Sequence, residues 1–382
     1  MSDLLAYFQA RTARMVEELK LLASYESPTH SKTHVDALGA LLVERCKALG
    51  AQVDTYPCED VGDVHIARWN ADASGKPIMI LTHIDTVWPV GTLEKMPLRE
   101  EDGILYGPGV LDMKGGVVIA LEAIRGLVER GELPERPIWL FLNSDEETGS
   151  VASRELIHES ARQVGLVLVM EPAAEGEAIK TWRKGFARYH VTTKGRASHA
   201  GQAPEQGINA VIEAAHQAIF LHGLNDLPQG TSVSVTMIEG GIAINVIPPE
   251  ASLQVDVRFL KMSEAERVDR IVQTLQPVLP GAAVEVKGAI DRGPMERDEQ
   301  MVRAFRQVQE IGASLGLELR EDGSGGGSDG NFTAAMGIPT LDGLGADGIG
   351  LHATHEQVNI RSLPRRAALL AKLLQDWDMS KV

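Results

Sequence analysis

The chain has 382 residues, 44% of them apolar, 4% aromatic and 24% charged, and 37 Lys+Arg against 53 Asp+Glu leave a formal net charge of −16. Single cores stop growing near about 250–300 residues, so this length implies two domains. The ordinary apolar fraction excludes wholesale disorder, and the acidic excess argues against a nucleic-acid backbone or an anionic membrane as the main partner.

Along the chain, a helical pattern near 4–24 is followed by another near 32–49, and then by strand patterns around 52–57 and 63–69. Three short, nearly continuous apolar runs come next, at Pro77–Leu81, Ile138–Leu142 and Leu166–Met170. Such runs read as strands buried on both faces of a mostly parallel sheet. Helical stretches near 115–131 and 151–161 supply the crossovers that parallel strands need. The pattern changes near residue 183. Phe186–Thr193 alternates, a helix follows near 207–222, and strands at Ser232–Ile238 and Ser252–Phe259 precede a helix near 263–276 and a strand near 283–288. That βαββαβ order predicts a ferredoxin-like unit with an antiparallel sheet. The α/β style then returns with a helix at 298–313, a Gly-rich loop at 323–330, an apolar stretch at 338–344 and a closing helix at 361–377. The expected architecture is an α/β sandwich in two pieces, residues 1–182 and 292–382, with a small domain inserted at 183–291.

Two cysteines, Cys46 and Cys58, cannot build a disulfide framework or a cysteine zinc site. Reduced thiols in a cytosolic protein are the simpler reading. No apolar run reaches the roughly 18–20 residues of a membrane span. The N-terminal stretch carries Arg11, Arg14, Glu17 and Glu18 through its apolar positions, which makes it an amphipathic helix rather than a signal peptide. Cytoplasm is the expected location.

Each of the three buried strand candidates runs directly into residues that could hold a metal. PIMIL leads to Thr82-His83-Ile84-Asp85, IWLFL to Asn143-Ser144-Asp145-Glu146-Glu147, and LVLVM to Glu171-Pro172. Parallel strands deliver their C-terminal ends to one rim, where open α/β sheets bind ligands. Several carboxylates converging there call for a cation, because an unpaired buried charge is costly. His83 and Asp85 share a face in extended chain, which suits a carboxylate–histidine–metal relay. Asp112, in GPGVLDMKGG, either caps the helix starting near Gly115 or bridges two cations through its two oxygens. Glu146 and Glu147 point in opposite directions if extended, so one can hold metal while the other serves as general base. His352 and His355, in GIGLHATHEQV, lack the His-Glu-x-x-His order of a zincin helix, and spacing alone leaves open which of them is a ligand. The SGGGSDGN loop (324–331) lacks the ending of a phosphate loop, but its amides, Gly327 and Ser328 among them, could receive a substrate carboxylate. His199, in GRASHAG, belongs to the small domain and matters only if that domain closes over the rim.

Together these residues resemble the aminoacylase/glutamate carboxypeptidase family of two-zinc metallopeptidases, which includes acetylornithine deacetylase and succinyl-diaminopimelate desuccinylase. The likeness spans nearly the whole chain through HIDTV, GPGVLDMKGG, SDEETGS, MEP, GRASHAG, GGIAINVIP, GGGSDGN and GLHATHEQV, in that order. It is nearest to bacterial folate-cleaving glutamate carboxypeptidases, through HIDTVWPVGTL, YGPGVLDMKGG and the SDEETGS…SRELI stretch. The resemblance implies two zinc ions, with cobalt or manganese as alternatives. His83, Asp112 and Glu171 would hold one ion and Asp112, Glu147 and His352 the other, with a cis peptide after the bridging Asp112. His352 rather than His355 takes the ligand place because His-x-x-x-Glu-x-Val is matched by His352, Glu356 and Val358. It further implies Glu146 as general base, Asp85 as the partner of His83, and His199 as an oxyanion donor, in this family often from the partner subunit, with Asn245 a second donor. Arg292 is the candidate cation for a substrate α-carboxylate, and Arg258 is expected in a structural salt bridge. The implied activity is release of a C-terminal amino acid, glutamate first, from a peptide or N-acyl conjugate by a homodimer whose small domain closes the site. An N-acyl-amino-acid deacylase shares every catalytic residue, and a metal-binding protein without catalysis is a remote third reading that the presence of Glu146 opposes.

Overall fold

The computed structural model describes residues 3–382. The described residues form two compact units, one of residues 3–182, 297–324 and 328–382 and one of residues 183–296 with 325–327.

The first unit is built on a six-stranded sheet. Its centre holds Ile138–Asn143, Ile78–His83 and Leu166–Val169, neighbours in that order and parallel, with Thr340–Leu341 parallel beyond them. Val64–Trp69 joins antiparallel to Ile138–Asn143, and Gln52–Tyr56 closes that edge as its hairpin partner. The apolar runs are continuous because both faces are covered. Met79, Leu81, Phe141, Val167 and Val169 pack with Ile157 and Phe332 on one side. The alternate residues Ile78, Ile80, Leu140, Leu166 and Leu168 are fully buried as well. Helix Gly115–Arg130 is buried along most of its length and packs against the closing helix Ser362–Asp376, so the last segment completes the core begun by the first.

The N-terminal helical pattern resolves into two helices, Asp3–Gln9 and Thr12–Ser24. At the break between them Arg11 stacks 3.5 Å over the Tyr7 ring and pairs with Glu129 at 2.9 Å. A second, four-stranded sheet of very short strands, Gly348–Ile349, Gln357–Asn359, Ile104–Tyr106 and Arg99–Glu101, carries the loops on either side of the site. Part of the Gly-rich segment is also ordered: Glu321–Ser324 is a strand paired with Ile179–Arg183, and a helix begins at Gly330.

The second unit follows the βαββαβ order: Gly185–Lys194, helix Ala210–His222, Ser232–Gly240, Glu250–Phe259, helix Met262–Gln273 and Ala283–Arg292. The first strand lies between the third and the fourth, the second strand borders the third, and every pairing is antiparallel, the ferredoxin-like arrangement. Only one face of this sheet is covered by helices. Ala251, Leu253, Val255, Val257 and Phe259 are therefore buried in alternation along their strand.

Candidate metal centre

The parallel register fixes the rim. His83, the last residue of its strand, lies opposite Asn143, the last of its own, and Leu81 lies opposite Val169. The residues just beyond, Asp85, Glu146, Glu147 and Glu171, therefore leave the sheet together. Glu171 is held in place by close backbone packing. A Cβ on either Gly116 or Gly345 would overlap the Met170 carbonyl oxygen, so only glycine lets those segments press against the strand end. Asp112 sits in the turn before helix Gly115–Arg130, and its peptide bond to Met113 is cis, as the resemblance implies.

Asp112 faces two histidines, one with each carboxylate oxygen. Its Oδ1 lies 3.3 Å from His83 Nε2 and its Oδ2 lies 3.2 Å from His352 Nε2. Glu171 Oε1 completes the first nest at 3.5 Å from His83 Nε2, and Glu147 Oε2 completes the second at 3.3 Å from His352 Nε2. His83, Glu146 and Glu171 also bring donor atoms within 4.8 Å of one another. His352 has a positive φ of 56°, a left-handed conformation that costs a non-glycine residue about 1 kcal/mol or more. His355 points elsewhere. It lines a separate cavity of about 500 Å³ with Trp88, Pro89, Met96, Arg99 and Tyr106.

Asp85 is fully buried and does more than orient the His83 ring. The ring Nδ1 lies 3.0 Å from the Asp85 backbone carbonyl and 3.4 Å from Oδ1. The carboxylate accepts the amide N–H groups of Glu146 and Glu147, both at 3.2 Å, and the Thr29 hydroxyl at 2.7 Å. Asp85 thus holds the Glu146–Thr148 turn as well as the histidine.

The electrostatics describe a cluster in want of cations. Burial opposes a charge on His83, but the facing carboxylates of Asp112, Asp85 and Glu171 raise its pKa well above the ordinary value. Asp112 and Glu147 beside His352 push that ring up to about 10. Burial alone would raise Asp112, yet His352 and His83 hold it well below the usual carboxylate range. Glu147 is pushed up to about 7, first by burial and then by the charge of Asp112, with the His352 contact opposing. Glu147 Oε1 is buried with no hydrogen-bond partner among the described residues. Each nest offers one imidazole and two carboxylates, with Asp112 common to both. Three protein ligands per ion, leaving a position open, is the donor set of a catalytic zinc site.

A family model described as "Peptidase family M20/M25/M40" matches residues 79–376. The chain belongs to this peptidase family. Among curated M20 relatives, carboxypeptidase G2 of Pseudomonas sp. (strain RS-16) is 34% identical over 392 residues, covering 98% of this chain and 92% of that protein. Succinyl-diaminopimelate desuccinylase of Dechloromonas aromatica is 27% identical over 357 residues, covering 88% of this chain and 92% of its own. Among solved structures, aminopeptidase PepT of Bacillus cereus superposes with a TM-score of 0.77 at 22% identity, over 95% of this chain and 98% of that one. The YXEP protein of Bacillus subtilis, described as a dinuclear metal binding peptidase from the M20 family, gives 0.71 at 16% identity over 96% and 98%. This M20 protein is therefore a metal-dependent hydrolase, and its cofactor is a zinc pair.

Of the remaining residues singled out in this M20 chain, His199, Asn245, Arg258, Arg292 and Gly327 belong to the second unit and Ser328 to the first. His199 and Asn245 are neighbours in the second unit. Ser198–His199 pairs with Val246–Ile247, and the Ala200 amide donates to the Asn245 carbonyl at 2.9 Å. Also in that unit, a Cβ on Gly327 would meet the Phe186 ring and the Arg292 side chain, so the loop and Arg292 are adjacent. Arg258 makes the expected salt bridge, a two-pronged contact to Asp256 at 2.7 and 3.0 Å. In the first unit the Ser328 hydroxyl donates to Asp342 at 2.7 Å, and its amide donates to Asn331. Sequence reasoning missed Thr29, which no local pattern marks, and Trp88, which lay unread within HIDTVWPVGTL. It also missed Lys114, buried in GPGVLDMKGG, whose ammonium donates to the Tyr25 carbonyl at 2.7 Å and whose pKa burial pushes down to about 8.

Among the described residues, no helix is long and apolar enough to cross a membrane.

Proposed function

We propose that this M20 enzyme hydrolyses an amide bond to release a C-terminal amino acid, glutamate first, from a peptide or N-acyl conjugate. The observation that carries the chemistry is Asp112 shared between two histidine–carboxylate nests, with Glu146 beside one of them. The substrate class rests on the similarity to carboxypeptidase G2 over 98% of the chain. His83, Asp112 and Glu171 are the proposed ligands of one ion, and Asp112, Glu147 and His352 those of the other.

Bound there, the zinc pair would lower the pKa of a water and polarise the scissile carbonyl; cobalt or manganese could serve in the same role. Glu146 accepts the proton of the attacking water and later delivers it to the leaving amine. Asp85 holds the amide of Glu146 and so fixes where that base stands. His199 is the proposed oxyanion donor. Its Nδ1 accepts the amides of Gly201 at 3.2 Å and Gln202 at 3.1 Å, which leaves the ring proton on Nε2 as a neutral donor. Asn245, next to it, is the second donor. Arg292 with the loop at Gly327 is proposed to receive the substrate carboxylate, whereas Ser328 has its amide and hydroxyl already engaged by Asn331 and Asp342 and is not part of that proposal.

The enzyme is further proposed to act as a homodimer through its second unit. Ile212, Ile219 and Phe220 on its first helix, and Met237 and Ile238 on an edge strand, are exposed apolar residues that a second copy would cover. The thiols Cys46 and Cys58 are unpaired, which supports a cytoplasmic setting. The desuccinylase relatives favour a second reading, an N-acyl-amino-acid deacylase with the same catalytic residues.

A panel of N-acyl-glutamates, folates and N-acetyl amino acids, assayed with Glu146→Ala alongside, tests both readings. The variant should keep its zinc and lose hydrolysis by about two to four orders of magnitude, the scale of a general base. Near-normal turnover would overturn the mechanism. A preference for N-acetyl or N-succinyl amino acids over glutamate conjugates would select the second substrate class.

A further inference from the structure

Glu356 belongs to neither nest, yet it is fully buried and its carboxylate is saturated with donors. Oε1 accepts the amide N–H groups of Leu111 at 2.8 Å and Asp112 at 3.1 Å. Oε2 accepts the amide of Gly109 at 2.9 Å and the Trp88 indole N–H at 2.7 Å. Its main chain is tied to the same turn, because the Gly107 amide donates to the Glu356 carbonyl at 3.2 Å. One side chain therefore fastens three segments: the turn that presents Asp112, the loop that presents His352 four residues upstream, and the stretch carrying Trp88 just after His83 and Asp85. We infer that Glu356, assisted by Trp88, is a positioning residue that sets the Asp112–His352 spacing and with it the affinity for the ion held by Asp112, Glu147 and His352. The inference rests on the ligand assignment proposed above.

The chemistry explains why a carboxylate is needed at this place. All four contacts are donors, two to each oxygen. A glutamine could accept on one side only and would turn an NH₂ group toward two N–H groups on the other. An aspartate keeps both acceptors but falls one methylene short. Phenylalanine at position 88 removes one donor and leaves every backbone contact intact.

The test uses the full chain, stripped of metal and titrated with zinc against a chelator, with visible spectra of the cobalt-loaded protein and thermal unfolding in parallel. Glu356→Gln should weaken the zinc held by Asp112, Glu147 and His352 by about 10–100-fold, the usual effect of losing a residue that orients a ligand, and should change the cobalt spectrum. Glu356→Asp should recover part of the affinity, and Trp88→Phe should shift it in the same direction by less. The inference is overturned if Glu356→Gln and Trp88→Phe bind both zinc ions with unaltered affinity and spectrum while only the unfolding temperature falls. Should Glu356→Gln fail to fold, Trp88→Phe decides alone. His352→Ala separates the two claims: retention of both ions in that variant refutes the ligand assignment, whereas loss of one there, with no change in the other two variants, refutes only the role of Glu356.

Discussion

Asp85 offers the sharpest test of how this site is held together. Its two oxygens receive the amides of Glu146 and Glu147, the Thr29 hydroxyl and the edge of the His83 ring. In Asp85→Asn the cheaper orientation puts the amide nitrogen in place of Oδ2, because the Thr29 hydroxyl can turn and accept while only the Glu147 N–H loses its partner. One buried donor left unsatisfied costs about 1–3 kcal/mol. Transmitted from Glu147 through the Glu146–Thr148 turn that carries the base, that cost lowers kcat about 5–150-fold, at about 1.36 kcal/mol per factor of ten. Asp85→Ala leaves both amides without an acceptor, which doubles the penalty to about 2–6 kcal/mol and lowers kcat by about 30- to 20,000-fold. Steady-state kinetics on a glutamate conjugate, with zinc counted in the same preparations, makes the measurement. The expected signature is a fall in kcat larger than any rise in KM. A zinc-loaded Asp85→Ala enzyme turning over at nearly the normal rate would refute the reasoning, because the Glu146 turn would then need no carboxylate beneath it.

Two further outcomes follow from other parts of the site. Gly116→Ala places a methyl group against the Met170 carbonyl, a backbone atom that cannot rotate away. It should lower the unfolding temperature by an amount matching about 1–3 kcal/mol, and a variant as stable as the parent would contradict the close packing described. Zinc binding should release protons at neutral pH, since the ion-free His352 holds its proton up to about pH 10 and Glu147 up to about pH 7. Both groups must deprotonate to bind, so affinity should rise with pH through this range, and a binding enthalpy that does not vary with the buffer's ionisation enthalpy would count against it.

The rim was legible in the sequence because each of His83, Glu146–Glu147 and Glu171 directly follows an apolar run buried on both faces, a pattern that fixes both the strand and the side to which it delivers its end. The ferredoxin-like unit was legible for the complementary reason, since its strands alternate. What stayed hidden depends on contacts between distant segments. Thr29 reaches Asp85 across 56 positions of chain. Glu356 was visible only as a motif position, because the amides it accepts lie 244 to 247 residues away. The strands Arg99–Glu101, Ile104–Tyr106 and Gln357–Asn359 have three residues each, too few for any period to show. The helix break at residues 10–11 carries neither glycine nor proline and is stabilised by Arg11 reaching Glu129, which local propensity does not register.

The separation of Asp112 from His352 also sets a timetable. A growing chain exposes His83, Asp112 and Glu171 to the cell while the insert and the closing helix are still unmade, so the first nest gains its three groups well before the second. His352 arrives only after the whole second unit has been synthesised, and helix Ser362–Asp376 must then dock on Gly115–Arg130 to finish the core. Chains fold largely from the N-terminal side as they emerge. The proposed ligands of the two nests thus emerge in order during synthesis, the first set by residue 171 and the second only at residue 352.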